Sequence, residues 1–133
     1  MKDRNMSKYK KSIYKENKNK IGVYRLTCNK NGKIYIGSSV NLSKRFSHYY
    51  SNKTMLNKLK FSKSIIYSAL LKHGRDNFSL EILEYCEKDV LIEREQYYMD
   101  LLNPEYNICK TAGSRLNIKK IGINYYLYGK TPS

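Results

Sequence analysis

The chain has 133 residues, long enough for one globular domain and too short for two with separate hydrophobic cores. Its 26 Lys and Arg against 11 Asp and Glu give a formal net charge of +15, which indicates a polyanionic partner, nucleic acid first, although a ribosomal or other basic protein fits equally well. The three cysteines have no C-x-x-C spacing, so neither a zinc knuckle nor a disulfide framework is expected. Because no stretch is apolar enough for a signal peptide or a membrane helix, we expect a soluble protein that is not secreted.

The charges are unevenly distributed along the chain. No acidic residue lies between Glu16 and Asp76, and apart from Asp3 and Glu16 every acid lies from Asp76 to Glu105. The first stretch therefore predicts a surface that attracts phosphate with nothing to cancel the attraction. Its candidate nucleic-acid contacts are Lys33, Lys44, His48, Lys53 and Lys63.

Composition also predicts how the chain is divided. Residues 1–20 are rich in Lys, Asn, Tyr and Ser without hydrophobic periodicity, which predicts a basic arm that is disordered when free. Residues 110–133 carry five basic residues and no acidic one, which predicts a second basic tail. The folded domain is then expected over 21–109.

A β-hairpin is predicted directly after the basic arm. Residues 21–27 and 33–37 are two β-prone runs, and they are separated by a four-residue loop that ends in Asn31-Gly32. The Asn-Gly pair supplies the positive φ that a tight hairpin needs.

The hairpin brings two tyrosines together. If Cys28 lies opposite Lys33, then Gly37 opposes Tyr24 and both tyrosines, Tyr24 and Tyr35, emerge on the same face. In a chain with 14 tyrosines such a pair is most simply a cross-strand packing contact, so the hairpin alone does not identify a site.

Two helices are predicted after the hairpin, with a polar loop at 51–62 between them. Ser39 or Asn41 caps the first, which extends to about Tyr50. Ser62 or Ser64 opens the second, and Gly74 ends it.

One more strand and one more helix complete the predicted domain. Alternating apolar residues over 78–85 indicate a strand, and Asp89 is the predicted cap of a helix over 90–102 that ends at Asn103-Pro104. The order of elements predicts an α+β domain in which helices flank a small antiparallel three-stranded sheet.

Two charged residues interrupt apolar helical stripes. Arg45 lies among Leu42, Phe46 and Tyr49 at helical spacing, and Glu95 lies in the stripe of the last helix. Burying a charge costs several kcal/mol unless a partner or ligand satisfies it. The two side chains could pair with each other, or Arg45 could bind a phosphate and Glu95 a metal ion.

In this order and spacing the motifs resemble those of the GIY-YIG nuclease family, over about residues 21–113. The matching residues are Gly22-Val23-Tyr24, Tyr35-Ile36-Gly37, Arg45, Lys72-His73-Gly74, Glu95 and Tyr106-Asn107. The resemblance implies the fold of that family and its activity, which is metal-dependent endonucleolytic hydrolysis of DNA phosphodiester bonds.

The resemblance also implies a role for each site residue. Glu95 would hold Mg²⁺ or Mn²⁺, Arg45 would clamp the scissile phosphate, and Tyr24 and Tyr35 would surround the nucleophile, with Asn107 as the remaining member. The twelve-residue step from Glu95 to Asn107 fits the family pattern. A free tyrosine, with a pKa of about 10, is a poor base at neutral pH, so the metal ion and nearby cations are expected to lower that pKa.

One position departs from the family pattern. Many relatives carry a histidine four residues after the arginine, whereas this chain has Tyr49 there and His48 one residue earlier. One step along a helix turns a side chain by about 100°. Three roles stay open for His48: it reaches the site, it contacts phosphate in solvent, or it has no role, and the last two are favoured over the first.

The end of the chain adds a second resemblance. Residues 128–133 resemble the opening of modular DNA-binding repeats in intron-encoded homing endonucleases, and 54–113 resembles fungal mitochondrial intron enzymes. These features predict a homing endonuclease made inside the mitochondrion that cuts double-stranded DNA, with no small-molecule cofactor and no membrane partner.

Three alternatives stay open on the sequence. A repair or restriction nuclease would use the same core. A non-catalytic DNA-binding or RNA-binding module could descend from a nuclease. A purely structural RNA-binding protein would need Arg45 and Glu95 for folding alone.

Overall fold

The computed structural model describes residues 3–107, which form a four-stranded antiparallel sheet with helices on both faces. The strands are β1 (Arg4–Asn5), β2 (Gly22–Cys28), β3 (Ile34–Ser39) and β4 (Phe78–Tyr85). The helices are α1 (Lys10–Glu16), α2 (Leu42–Tyr49), α3 (Asn52–Leu59), α4 (Ile65–His73) and α5 (Leu91–Leu102). The strand order is β1-β4-β2-β3, so β3 lies at one edge of the sheet. The predicted α+β class and its three strands are confirmed, and β1 adds a short fourth strand.

The β2–β3 hairpin has the predicted register. Tyr24 lies opposite Gly37 and Leu26 lies opposite Tyr35. The turn is closed by a hydrogen bond in which the Cys28 amide donates to the Lys33 carbonyl at 2.9 Å. Gly32 has a φ of 74°, a conformation that glycine adopts without strain.

The two faces of the sheet are covered by different layers. On one face Tyr24 and Leu26 belong to the larger core cluster, together with Phe46 of α2 and Leu70 of α4. The opposite face has a smaller cluster, in which Val23 and Ile36 contact Leu91 and Met99 of α5. Because β3 is an edge strand, side chains from both layers can meet around its end.

The segment before β2 is ordered, so the prediction of a disordered arm over 1–20 is wrong for most of its length. Arg4 pairs with Leu80 of β4, and Met6 and Ile13 are fully buried. The Tyr50 hydroxyl of the helical layer donates to the Met6 carbonyl at 2.6 Å. Two buried side chains seven residues apart give no periodic signal, and contacts distant in sequence stabilise the segment instead.

The predicted loop at 51–62 contains α3. The Ser51 side chain caps this helix by accepting a hydrogen bond from the Thr54 amide, and Met55 is its buried residue. One buried side chain in eight residues produces no apolar stripe, which explains why the sequence pattern missed the helix.

The helix caps agree with the sequence in two of three cases. The Asn41 side chain caps α2 and the Ser64 side chain caps α4. The predicted cap Asp89 instead lies in a short 3-10 turn, and α5 begins after Val90 without a side-chain cap. No helix in residues 3–107 is long and apolar enough to cross a membrane. The predicted tail over 110–133 and its repeat-like end lie outside the described residues.

Candidate active site

A group of polar side chains from both layers meets near the end of β3. Tyr24 comes from β2, Tyr35 from β3 and Arg45 from α2, whereas Glu95 comes from α5 on the opposite face. Arg45 and Glu95 influence the pKa of both tyrosines, and Tyr24 influences that of Tyr35. The structure therefore brings together four of the five predicted catalytic residues in one site.

The tyrosines are held by close packing over a glycine. The Tyr24 and Tyr35 ring centroids lie 6.4 Å apart, and the Tyr24 ring meets Phe46 edge to face. A Cβ atom added at Gly37 would lie 2.5 Å from the Tyr24 hydroxyl oxygen. Any larger residue at position 37 would displace the Tyr24 ring, so the glycine of the second motif makes room for the tyrosine of the first.

Tyr49 is a site residue that sequence reasoning missed. Its hydroxyl lies 2.6 Å from the Tyr24 hydroxyl, and both side chains are buried. The signal that could have found it is its position one helical turn after Arg45, on the same face of α2. His48, one residue earlier, is half-buried, and burial together with the charges of Lys58, Arg45 and Lys44 lowers its pKa.

The three tyrosine hydroxyls are protonated at neutral pH. Burial raises the pKa of Tyr24, of Tyr35 and of Tyr49. The positive charge of Arg45 acts in the opposite direction, as the sequence predicts, but burial outweighs it in all three cases. In the protein alone these groups are hydrogen-bonding hydroxyls and not phenolate bases.

Ser38 connects the arginine to the glutamate. An Arg45 Nη donates to the Ser38 carbonyl at 3.1 Å, and the Ser38 hydroxyl donates to Glu95 Oε1 at 2.6 Å. In residues 3–107 the ion pairs join other side chains, so Arg45 and Glu95 do not simply neutralise each other. Ser38 follows the second motif directly, and no sequence signal singled it out.

Glu95 has one oxygen that takes no hydrogen bond from any residue the structure describes. Burial raises its pKa, while the Ser38 hydrogen bond and the charge of Arg45 partly offset that rise. Glu93, two residues earlier on α5, is exposed. A largely buried carboxylate with a free oxygen suits a cation ligand better than an exposed one, because the cation would relieve the cost of burying the charge.

The set of donors fits a cation held mainly by water and substrate. No group of three or more His, Cys, Asp or Glu side chains that could hold a metal ion occurs within 3–107. Mg²⁺ commonly keeps several waters and binds through one or two carboxylates plus phosphate oxygens. Glu95 as a lone carboxylate agrees with that mode of binding and not with a complete protein cage.

Asn107 holds the edge of β3 and is fully engaged in doing so. Its Oδ1 accepts from the Ile36 amide and its Nδ2 donates to the Ile36 carbonyl, each at 2.9 Å. The Tyr106 amide donates to the Ile34 carbonyl in the same way. The side chain of Asn107 thus takes the place of a neighbouring strand at Ile36, two residues before Ser38, and its catalytic role stays a prediction.

The predicted nucleic-acid contacts lie on two parts of the surface. Lys33 is exposed and belongs to the turn between β2 and β3, not to a helix. The other four lie on or beside helices that pack on the tyrosine face: Lys44 and His48 on α2, Lys53 on α3 and Lys63 before α4. Lys33, Lys44, Lys53 and Lys63 are all exposed, so each can contact a ligand.

Comparison with known proteins identifies the family. Residues 20–107 match the family model of the GIY-YIG catalytic domain. The chain belongs to the GIY-YIG family. Over 90 residues it is 33% identical to "Intron-associated endonuclease 1" of Enterobacteria phage T4, a match that covers 66% of this chain and 35% of the phage protein. The chain therefore spans about a third of the length of that relative.

Solved structures agree with this assignment. The chain is similar to the catalytic domain of the homing endonuclease I-TevI, with a TM-score of 0.54 and 32% identity over 68% of this chain and 99% of that one. A glutamate-to-alanine mutant of the same catalytic domain gives a TM-score of 0.56 and 30% identity, covering 70% and 97%. The candidate site around β3 thus lies within the part of the chain that matches the GIY-YIG catalytic domain.

Proposed function

We propose that this GIY-YIG domain is a divalent-metal-dependent endonuclease that hydrolyses phosphodiester bonds of double-stranded DNA, as the catalytic part of a homing endonuclease. The observation that carries the proposal is the bridge through Ser38, which holds Arg45 and Glu95 side by side next to the buried tyrosines. The relatives named above are intron endonucleases, which supports the homing type over a repair or restriction enzyme. The mitochondrial location stays a prediction, and the intron-associated endonuclease that the chain resembles is a phage protein.

Glu95 would hold the metal ion, Mg²⁺ or Mn²⁺, through its free oxygen. When bound, such a cation neutralises charge on the scissile phosphate and lowers the pKa of its bound water. Glu95 must be ionised to bind it, so its raised pKa makes binding weaken as the pH falls through that value.

Arg45 would bind the scissile phosphate. One of its N–H groups is anchored on the Ser38 carbonyl, and a guanidinium has five N–H donors, so others remain to reach phosphate oxygens. Because the anchor is a backbone atom, the guanidinium is held in place before DNA arrives. Its fixed charge would then stabilise the negative charge that develops on the phosphate during hydrolysis.

The tyrosine hydroxyls would orient the attacking water. Tyr35 is half-buried and therefore the one most accessible to a solvent molecule, whereas Tyr24 and Tyr49 are fully buried and bonded to each other. Since all three are protonated, they would act as hydrogen-bond donors and acceptors that hold the water in line, without themselves carrying negative charge.

The exposed basic residues would bind the DNA backbone. Lys33, Lys44, Lys53 and Lys63 can each neutralise a phosphate, and His48 lies between Lys44 and α3. Such contacts add affinity without sequence preference. A non-catalytic binding module would share them, so the test of the function must separate binding from cleavage.

Plasmid cleavage by matched glutamine variants tests the proposal. Supercoiled plasmid is incubated with the wild-type chain, Glu95→Gln or Glu93→Gln, with Mg²⁺, Mn²⁺ or EDTA. We expect the wild type and Glu93→Gln to nick or cut the plasmid when the metal is present, and Glu95→Gln to be slower by roughly 10² to 10³-fold. Binding to the same DNA in EDTA should be retained by all three. Equal cleavage by Glu95→Gln, or cleavage in EDTA, would contradict the mechanism.

A further inference from the structure

An apolar patch lies within the basic surface at the end of α3. Phe61 is 89% exposed and Leu56 is 55% exposed. Lys58, Lys60 and Lys63 alternate with them, and all three are exposed. We call residues 56–63 the α3 tip. The proposed role of Lys63 on the DNA backbone does not explain why a phenylalanine is so fully exposed beside it.

The α3 tip is joined to the active-site helix. An Arg75 Nη donates to the Tyr49 carbonyl at the end of α2 and to Asn52 Oδ1 at the start of α3, at 3.2 and 2.8 Å. The Arg75 side chain thereby fixes the two helices relative to each other. A surface on α3 has a defined position relative to Arg45.

The positive charge is continuous between the two. The His48 imidazole on α2 is affected by Lys58 of the α3 tip as well as by Arg45 and Lys44, so all three cations lie around it. The stretch from Glu16 to Asp76 contains no acidic residue that could divide this surface. A polyanion bound at Arg45 could therefore continue past His48 onto the α3 tip, attracted by the cations on both helices.

The composition of the α3 tip favours DNA over other partners. An apolar side chain ringed by lysines suits a ligand whose outside is anionic and whose inside is aromatic, and a DNA duplex has phosphates outside and stacked bases inside. Several proteins that bend DNA insert an apolar wedge between base pairs while cations hold the flanking phosphates. An acidic protein would have to present both carboxylates for the lysines and an apolar pocket for Phe61, whereas any DNA duplex presents phosphates and bases together.

We propose that the α3 tip is a second DNA contact of this GIY-YIG domain, at which Lys58, Lys60 and Lys63 bind phosphates and the Phe61 ring inserts against a base step. The contact rests on the proposed function, since it takes the same DNA. This second contact would attach the domain to the DNA at a point other than the scissile phosphate. It would also favour base steps that unstack easily, such as pyrimidine–purine steps.

Binding measurements on exposed-residue variants test the contact. Affinity for a duplex that carries 2-aminopurine at successive positions is measured in EDTA at several salt concentrations. We expect Phe61→Ala to weaken binding about tenfold with an unchanged salt slope, and Lys58→Gln to reduce that slope by about one. Phe61→Tyr should restore affinity. Leu101→Ala, a change at a 62% exposed site on α5, is the control and should bind like the wild type.

The fluorescence of 2-aminopurine reports insertion directly. We expect the wild type to raise it at one base step and Phe61→Ala to leave it at the value of free DNA. Wild-type affinity for Phe61→Ala while the wild type still cuts plasmid would overturn the α3 contact and leave the proposed function intact. A wild type that neither binds nor cuts DNA would overturn both. If Phe61→Ala instead abolished self-association in sedimentation at unchanged DNA affinity, the patch would be a protein interface and the inference would be wrong.

Discussion

The candidate site has a tyrosine side, formed by Tyr24, Tyr35 and Tyr49, and a glutamate side, formed by Glu95. The two sides differ in how completely the protein supplies hydrogen-bond partners for their polar groups. Tyr24 and Tyr49 lie in the larger core and bond to each other at 2.6 Å. Glu95 comes from α5 over the smaller core, has one oxygen that accepts no hydrogen bond from the residues at 3–107, and has its pKa raised by burial. Folding alone therefore organises the tyrosine side, whereas on the glutamate side Ser38 and Arg45 only partly offset the cost of burying the carboxylate.

Arg45 lies between the two sides, and removing it is expected to have the largest effect. Arg45→Ala should lower the rate of plasmid cleavage by roughly 10² to 10³-fold, because a preorganised donor to the developing charge is lost. Arg45→Lys keeps the charge but not the planar group and should remain well below the wild type. Arg94→Ala removes the same charge from α5, where Arg94 pairs with Glu84 of β4, and this variant should cleave the plasmid almost as fast as the wild type. Equal losses for Arg45→Ala and Arg94→Ala would mean that net charge is what matters.

A smaller effect is expected within the tyrosine side, where two adjacent residues form a matched pair. Tyr49→Phe and Tyr50→Phe each remove one hydroxyl hydrogen bond, to Tyr24 and to the Met6 carbonyl respectively. Each should lower the free energy of unfolding by about 1 kcal/mol. Tyr49→Phe alone should also slow cleavage, by about tenfold, since it disturbs Tyr24. Denaturant unfolding and plasmid assays measure both, and a comparable loss of activity in Tyr50→Phe would show that Tyr49 acts through stability alone.

The smallest effect concerns the stability of the glutamate side without metal. A raised pKa in the folded protein means that neutral Glu95 is tolerated at low pH and that ionisation destabilises the fold as the pH rises through that pKa. Glu95→Gln removes this cost while its amide oxygen still accepts from Ser38. In EDTA it should therefore be more stable than the wild type at pH 7, and about equal near pH 4. Lower stability at pH 7 would show that Ser38 and Arg45 already satisfy the carboxylate.

The hairpin and its tyrosines could be predicted because their causes are local. An Asn-Gly turn sets the register, and the two-residue period of a strand then places Tyr24 and Tyr35 on one face. Arg45 and Glu95 were found as charges on apolar stripes, a pattern that is visible in sequence alone. The family resemblance supplied their roles.

What the sequence could not provide depends on contacts between distant residues. The segment holding Met6 and Ile13 is ordered by β4 and Tyr50, which lie far along the chain. Nothing in the sequence distinguishes Ser38 from the other serines, because its role depends on the packing of α5, which places Glu95 beside it. The pKa values of the tyrosines were expected to fall beside cations, but the depth of burial, which opposes that fall, is a property of the folded protein.

Ser38 has a further consequence for how this site tolerates mutation. Arg45 is anchored on the backbone carbonyl of residue 38, an atom that every amino acid supplies, whereas Glu95 depends on the side-chain hydroxyl. A substitution that removes this hydroxyl, such as Ser38→Ala, would therefore leave the anchor of Arg45 in place and release Glu95. Under the proposed function, such a change would impair metal binding before DNA binding, so a chain that binds DNA without cutting it would be one substitution away.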